Sequence, residues 1–169
     1  MATTHDESLL EALLDSWDRN NTILVNLLRA VPEGALDVRA VEGSMTVAEM
    51  FLHIHGTRLF VLSEDAPEFA LAPLETGWRE TRDVDRIAQM LNESAGAVRA
   101  AVKSRLETGK EMLVRYDHPI LFLQHMVWHE GYHHGQIKLA LKAMGRPLDD
   151  EEIGPVTWHV WFDKTGAGS

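Results

Sequence analysis

The chain has 169 residues, no cysteine and a formal net charge of −10 at pH 7. The missing thiols exclude disulfides, iron–sulfur clusters and thiolate zinc sites. The acidic balance argues against nucleic acid and against an anionic membrane surface, both of which call for a basic face. With 45% hydrophobic and 25% charged residues, the composition fits one globular domain over residues 1–169, long enough to bury a core.

Thr4-His5-Asp6-Glu7 reads as a capping box. Behind it Leu9, Leu10, Leu13, Leu14, Trp17, Leu24, Leu27 and Leu28 recur at three- and four-residue steps. That spacing predicts an amphipathic first helix of about seven turns, stopped by Pro32 and Gly34. A loop over 33–45 leads to a second capping box, Thr46-Val47-Ala48-Glu49. The helix it starts carries Met50, Phe51, Leu52, His53, Ile54, His55, Leu59, Phe60, Val61 and Leu62. Being apolar over much of its circumference, it is expected to be flanked on two sides. The connection over 65–80 is longer than a helical hairpin needs and can return along the whole bundle, so helices two and three can run parallel. A third helix is expected from about Asp83 to Leu106. Val84, Ile87, Met90, Leu91, Val98, Val102 and Leu106 form its apolar side, with Arg82, Asp85, Arg86, Glu93, Arg99, Lys103 and Arg105 in water.

Gly109 breaks the chain. Asp117 is placed to cap a fourth helix with Pro119 in its first turn. That helix is expected to run to about Met144 and stop at Gly145. The core thus covers about residues 5–145. The tail, 146–169, holds the acidic run Asp149 to Glu152 and then Val156-Thr157-Trp158-His159-Val160-Trp161-Phe162. That last piece is too apolar for water and is expected to pack on the bundle or on a second subunit. No apolar run reaches membrane-spanning length or reads as a signal peptide, so a cytoplasmic protein is expected.

Chemistry concentrates in Trp128-His129-Glu130-Gly131-Tyr132-His133-His134-Gly135-Gln136. His125, His129 and His133 step by four and so share a helix face. Two imidazoles at that spacing reach one metal ion, and neutral histidine is a common ligand for Zn, Ni, Cu and Fe. His129-Glu130-x-x-His133 matches the metalloprotease pattern, but those enzymes set a sheet beside that helix, and here nearly every element is helical. Glu130-x-x-His133 also matches half of a bundle di-iron motif, yet no second E-x-x-H occurs. A third ligand has to come from another helix, and His53 and His55 are the candidates. They lie about 200° apart around the helix, so only one faces the site, and periodicity leaves the choice open.

Thr46-Val47-Ala48-Glu49-Met50-Phe51-Leu52-His53-Ile54 resembles the S/T-x-x-E-x-x-x-H-I segment of the DinB/YfiT-like (damage-inducible DinB) family. His129-Glu130-Gly131-Tyr132-His133-His134-Gly135-Gln136-Ile137 resembles its H-E-x-x-H-R-G-Q-I segment, except that His134 stands where Arg is usual. The resemblance implies an all-α, up-down-down-up four-helix bundle, usually dimeric. It implies a divalent metal held by His53, His129 and His133. The family includes enzymes that transfer low-molecular-weight thiols and a thiol-dependent isomerase.

Three neutral histidines leave open positions on a metal, as catalytic sites do. Taken with the resemblance, this gives the expectation of a metal-dependent transferase acting on small molecules, with a low-molecular-weight thiol as nucleophile and Zn or Ni, or else Mn or Fe, as the metal. A non-catalytic, stress-related metal-binding bundle and a metal-dependent hydrolase are the alternatives. Glu130 is a candidate general base, against the plainer reading of a solvated glutamate. Glu49 has a sufficient job in its cap and can also orient His53. His125 reads as packing or as a neighbour of the ligands, and His134 as outside them. Trp128 and Tyr132 read as packing residues. The four-residue spacing of Gly131 and Gly135 suggests close approach of another helix.

Overall fold

Helix-forming periodicity and local caps account for nearly every boundary in the computed structural model, which describes residues 4–72 and 76–162, with side chains from Ser8 onward. Among the described residues there are α-helices and short 3-10 turns and no strand. Helix α1 spans Thr4–Ala30, α2 Val47–Asp65, α3 Val84–Thr108 and α4 Pro119–Ala143; a short α5 covers Asp150–Ile153. None of these is long and apolar enough to cross a membrane. The capping box expected at Thr4 lies outside the described side chains.

The second capping box forms as the sequence implies. Thr46 Oγ1 accepts from Glu49 N at 3.2 Å, and Glu49 Oε2 accepts from Thr46 N at 2.7 Å. Asp83 caps α3 by accepting from the backbone of Asp85 and Arg86, and Gly109 ends that helix at φ 66°, a conformation other side chains avoid. Helix α4 departs from expectation. Its cap is His118, whose Nδ1 accepts from Ile120 N at 3.2 Å, in place of Asp117. The ring nitrogen one residue closer to Pro119 reaches the free amide first.

Helix α1 packs on α3 and α4, and α2 packs on α3 and α4. The apolar core falls into two clusters. Leu24, Leu28, Phe51, Ile54, Leu91 and Ile137 belong to one, and Leu14, Trp17, Leu62, Val98, Phe122 and Met126 to the other. On each helix a buried polar residue stands between the two sets: Asn20 and Asn21 on α1, Arg58 on α2, Ser94 on α3, Glu130 on α4. A polar layer therefore crosses the bundle between two apolar ones. Burying each large apolar side chain contributes roughly 1.5–3 kcal/mol, so the two clusters hold the layer in place.

Three expectations about individual side chains change. Leu9 is 58% exposed, because the inward row here runs through Leu10, Leu14 and Trp17 and Leu9 lies to one side of it. Arg105, expected in water, is buried; its guanidinium donates to Asp65 O and pairs with Glu68. Among the described residues no atom of another helix stands within 4 Å of where a Cβ would sit on Gly131 or Gly135. Their spacing therefore reflects no close approach among those residues.

The tail lies along α1. Asn26 Nδ2 donates to Val156 O at 2.6 Å, Arg19 donates to Val160 O, and Trp17 Nε1 on the inner face of the same helix donates to Ala95 O at 2.9 Å. The tail's aromatic residues remain partly exposed, Phe162 most of all.

Candidate metal centre

Helix α2 presents His53 and helix α4 presents His129 and His133 one turn apart, and their Nε2 atoms converge. His53 Nε2 lies 3.2 Å from His129 Nε2, which lies 3.1 Å from His133 Nε2. All three ligand atoms fall within 4.8 Å of one another. Nitrogens held 2.0–2.1 Å from one tetrahedral ion are separated by about 3.3 Å. The spacing thus fits a three-nitrogen face on a single divalent ion. The three rings grade from mouth to floor: His53 is exposed, His129 half-buried and His133 buried.

The electrostatics favour neutral imidazoles, the form that ligates. Burial lowers the His53 pKa, with the nearby Arg79 charge adding to it. Burial lowers His129 to about 4, assisted by His133 and His53. Burial and then His53 lower His133, partly offset by Gln136. That offset is a hydrogen bond from His133 Nδ1 to Gln136 Oε1 at 2.8 Å. With its proton held on Nδ1, His133 presents a lone pair on Nε2. Gln136 is fixed in turn by donating to the Tyr132 hydroxyl at 2.9 Å. His129 has no such aid, since its Nδ1 is buried without a partner.

Glu130 is not in the cluster. Its carboxylate is fully buried and takes two hydrogen bonds from Arg58, Nε to Oε1 at 2.6 Å and Nη2 to Oε2 at 2.8 Å. Asn20 Nδ2 donates to the same Oε2 at 2.5 Å. Arg58 also donates to Asn21, Leu91 O and Ser94, and its guanidinium lies 4.8 Å from the Trp17 ring centroid. Both readings offered for Glu130, general base and solvated glutamate, give way to a buried carboxylate already held by three hydrogen bonds.

His55 points the other way from His53, into the core. It is 1% exposed, and among the described residues neither ring nitrogen has a partner at hydrogen-bond geometry. Burial lowers its pKa to about 4. His125 bonds through Nδ1 to the Tyr116 hydroxyl at 2.8 Å, and its ring centroid is 6.5 Å from that of His129. It therefore neighbours the cluster without joining it. Burial also lowers the pKa of His134, which stands beside Lys138 and Asp150, away from the three. Glu49 stays in its cap; its pKa is lowered first by the Thr46 backbone. Trp128 is 68% exposed and stacks on Tyr132 instead of packing inward.

Beside His53 opens a cavity of about 480 Å³, lined also by Leu52, Thr57, Phe60, Trp78 and Arg79, within the usual range for small-molecule sites.

A family model described as DinB family matches residues 1–150. The chain belongs to the DinB family. No curated protein and no solved structure matches it significantly. The three histidines marked by the DinB resemblance are the three that the fold brings together, which resolves the choice between His53 and His55. Two residues of this DinB protein carried no role in the sequence reading. Gln136 stands three residues after His133, a spacing that faces it. Arg58 is the single permanently charged residue in the largely apolar run from Met50 to Leu62, a sign of a buried partner.

Proposed function

We propose that this DinB protein holds one divalent ion on His53, His129 and His133 and activates the thiol of a small co-substrate for transfer to an electrophile. The convergence of three neutral imidazoles, with His129 Nε2 3.2 Å from His53 Nε2 and 3.1 Å from His133 Nε2 and all three ligand atoms within 4.8 Å of one another, beside an open cavity carries the reading. Zn or Ni suits three imidazoles best, with Mn or Fe as alternatives. Such an ion, when bound, acts as a Lewis acid that lowers the pKa of a coordinated thiol or water. The chain's residues do the rest. Gln136 fixes the His133 tautomer, and burial keeps the rings unprotonated. Arg58 and Glu130 lock α4 against α2, so that His129 and His133 meet His53. Glu130 is thus a positioning residue. With no cysteine in the chain, the nucleophilic sulfur belongs to the co-substrate.

A non-catalytic metal-binding bundle is the second reading. What favours it is the withdrawal of Glu130 from the cluster, which also weakens a hydrolase in need of a base at that position.

The up-down-down-up helix order is part of the proposal. Between α2 and α3, Arg58 meets Leu91 and Ser94, and Asp65 meets Arg105, so partners advance together. Between α1 and α3 they run oppositely, from Glu11–Lys103 to Arg29–Asp85. We also propose a homodimer in the cytoplasm. Leu121, Trp128, Tyr132 and Leu139 form an exposed row along α4, too apolar to be left in water. Sedimentation should give a dimer that Trp128→Glu dissociates; a wild-type monomer at micromolar concentration rejects it.

Elemental analysis tests the centre, on protein purified without chelator or affinity nickel, beside His133→Ala. About one metal per chain in the wild type, lost in the variant, is expected. Proton release on adding a thiol should then track metal occupancy. No metal, and none taken up from added Zn, Ni or Mn, overturns the reading. Metal without thiol-linked proton release leaves the non-catalytic bundle.

A further inference from the structure

The wall of the cavity opposite His53 is built by the 3-10 turn Trp78–Glu80. The Trp78 ring lies 3.1 Å from where a Cβ on Gly56 would sit, so a larger residue there would require the ring to shift by a few tenths of an ångström. It also meets His55 edge-on, with centroids 5.5 Å apart. The turn is therefore pinned to α2. Arg79 lies over the Trp78 ring, 4.9 Å from its centroid, a stacking that Arg favours. Arg79 lines the cavity, and among the described residues no carboxylate pairs with it.

Charge decides what such a cavity takes. Three neutral histidines cancel none of the charge of a divalent ion. Glu49, the one acid among the described residues that line the cavity, already accepts from the Thr46 backbone and is flanked by Arg39 and Arg82. Among the described residues Arg79 is thus left as an unpaired cation on a wall to which Leu52, Phe60 and Trp78 bring apolar surface.

We propose that this cavity binds a small organic carboxylate, with Arg79 pairing the carboxylate and the ligand's carbon skeleton lying against Trp78 and Phe60. An Arg fork matches a carboxylate in two parallel hydrogen bonds. The anion is borne by either the thiol or the electrophile. The proposal rests on the metal–thiol reading only for what happens at the ligand's other end.

The test uses zinc-loaded full-length protein and three probes: 3-mercaptopropionate, 2-mercaptoethanol and propionate. Binding is read from the Trp78 indole N–H signal in nitrogen-15 correlation spectra, assigned with Trp78→Phe. The expected result is that 3-mercaptopropionate binds about tenfold more tightly than 2-mercaptoethanol, the order expected of one added charge-assisted hydrogen-bonded pair. Arg79→Gln should remove that advantage and leave 2-mercaptoethanol binding unchanged. Equal affinities in the wild type, or an advantage that survives in Arg79→Gln, overturns the proposal while the thiol reading stands. Propionate binding that depends on Arg79, with no additional gain from a thiol, supports the carboxylate on the electrophile. If neither thiol binds while propionate does, the anion site stands and the thiol reading falls.

Discussion

Two polar clusters are built by the same pair of helices, less than two turns apart, and they are opposites. In the Arg58–Glu130 layer each charge meets its counterpart, and Asn20, Asn21 and Ser94 take up further hydrogen bonds. In the His53–His129–His133 cluster His129 faces the other two at hydrogen-bond distance, and among the described residues only His133 has a partner of another kind. A saturated cluster has nothing left to offer a ligand and serves the fold. A cluster of converging lone pairs is complete only with something bound. Burial grades with that division: Arg58 and Glu130 are fully buried, whereas His53 is open to solvent.

The largest test of the comparison is to break the saturated layer. Glu130→Ala leaves the Arg58 charge buried and unpaired and should cost about 3–5 kcal/mol in urea denaturation. Replacing both partners, with Arg58→Met and Glu130→Leu together, should recover most of that loss. A single variant as stable as the wild type would deny the layer its structural role. If Glu130→Ala does not fold, stability in the double variant still decides the matter.

A smaller effect is expected where the open cluster borrows support. Gln136→Leu removes the acceptor that holds the His133 proton on Nδ1. It should weaken metal affinity about 10- to 100-fold with little change in apo-protein stability. Titration with zinc against a competing chelator measures it. Unchanged affinity would mean that the Gln136 contact is incidental.

The most gradual effect is the response to acid. His129 and His55 each have a folded pKa of about 4, below their ordinary value near 6.5. For histidines the unfolded chain then binds protons first. Their contribution to stability is complete above about pH 6.5 and is lost progressively as pH falls toward 4. Metal-free protein should therefore lose stability across that window, and bound zinc should be released across it as protons compete for the rings. His129→Ala should flatten the apo profile. A wild-type profile that is already flat from pH 7 to 4.5 would show that these rings are not buried as described.

The sequence by itself determined a good deal of this protein. Local chemistry placed the four long helices within a few residues, because caps such as Thr46–Glu49 and breakers such as Gly109 act through neighbours in the chain. The step of four from His129 to His133 put both on one helix face, since 3.6 residues make a turn. Family likeness pointed to His53. Only the tertiary structure decided the rest. His53 and His55 differ by which neighbour α2 turns toward, and a helix buried on two sides has no period to reveal that. Glu130 reads the same in sequence whether it faces a metal or an arginine 72 positions away. Arg105 reads as solvated until Glu68 and the Asp65 carbonyl are brought to it. A charge is read correctly from sequence only when its partner is local, and the partners that fixed this site come from other helices.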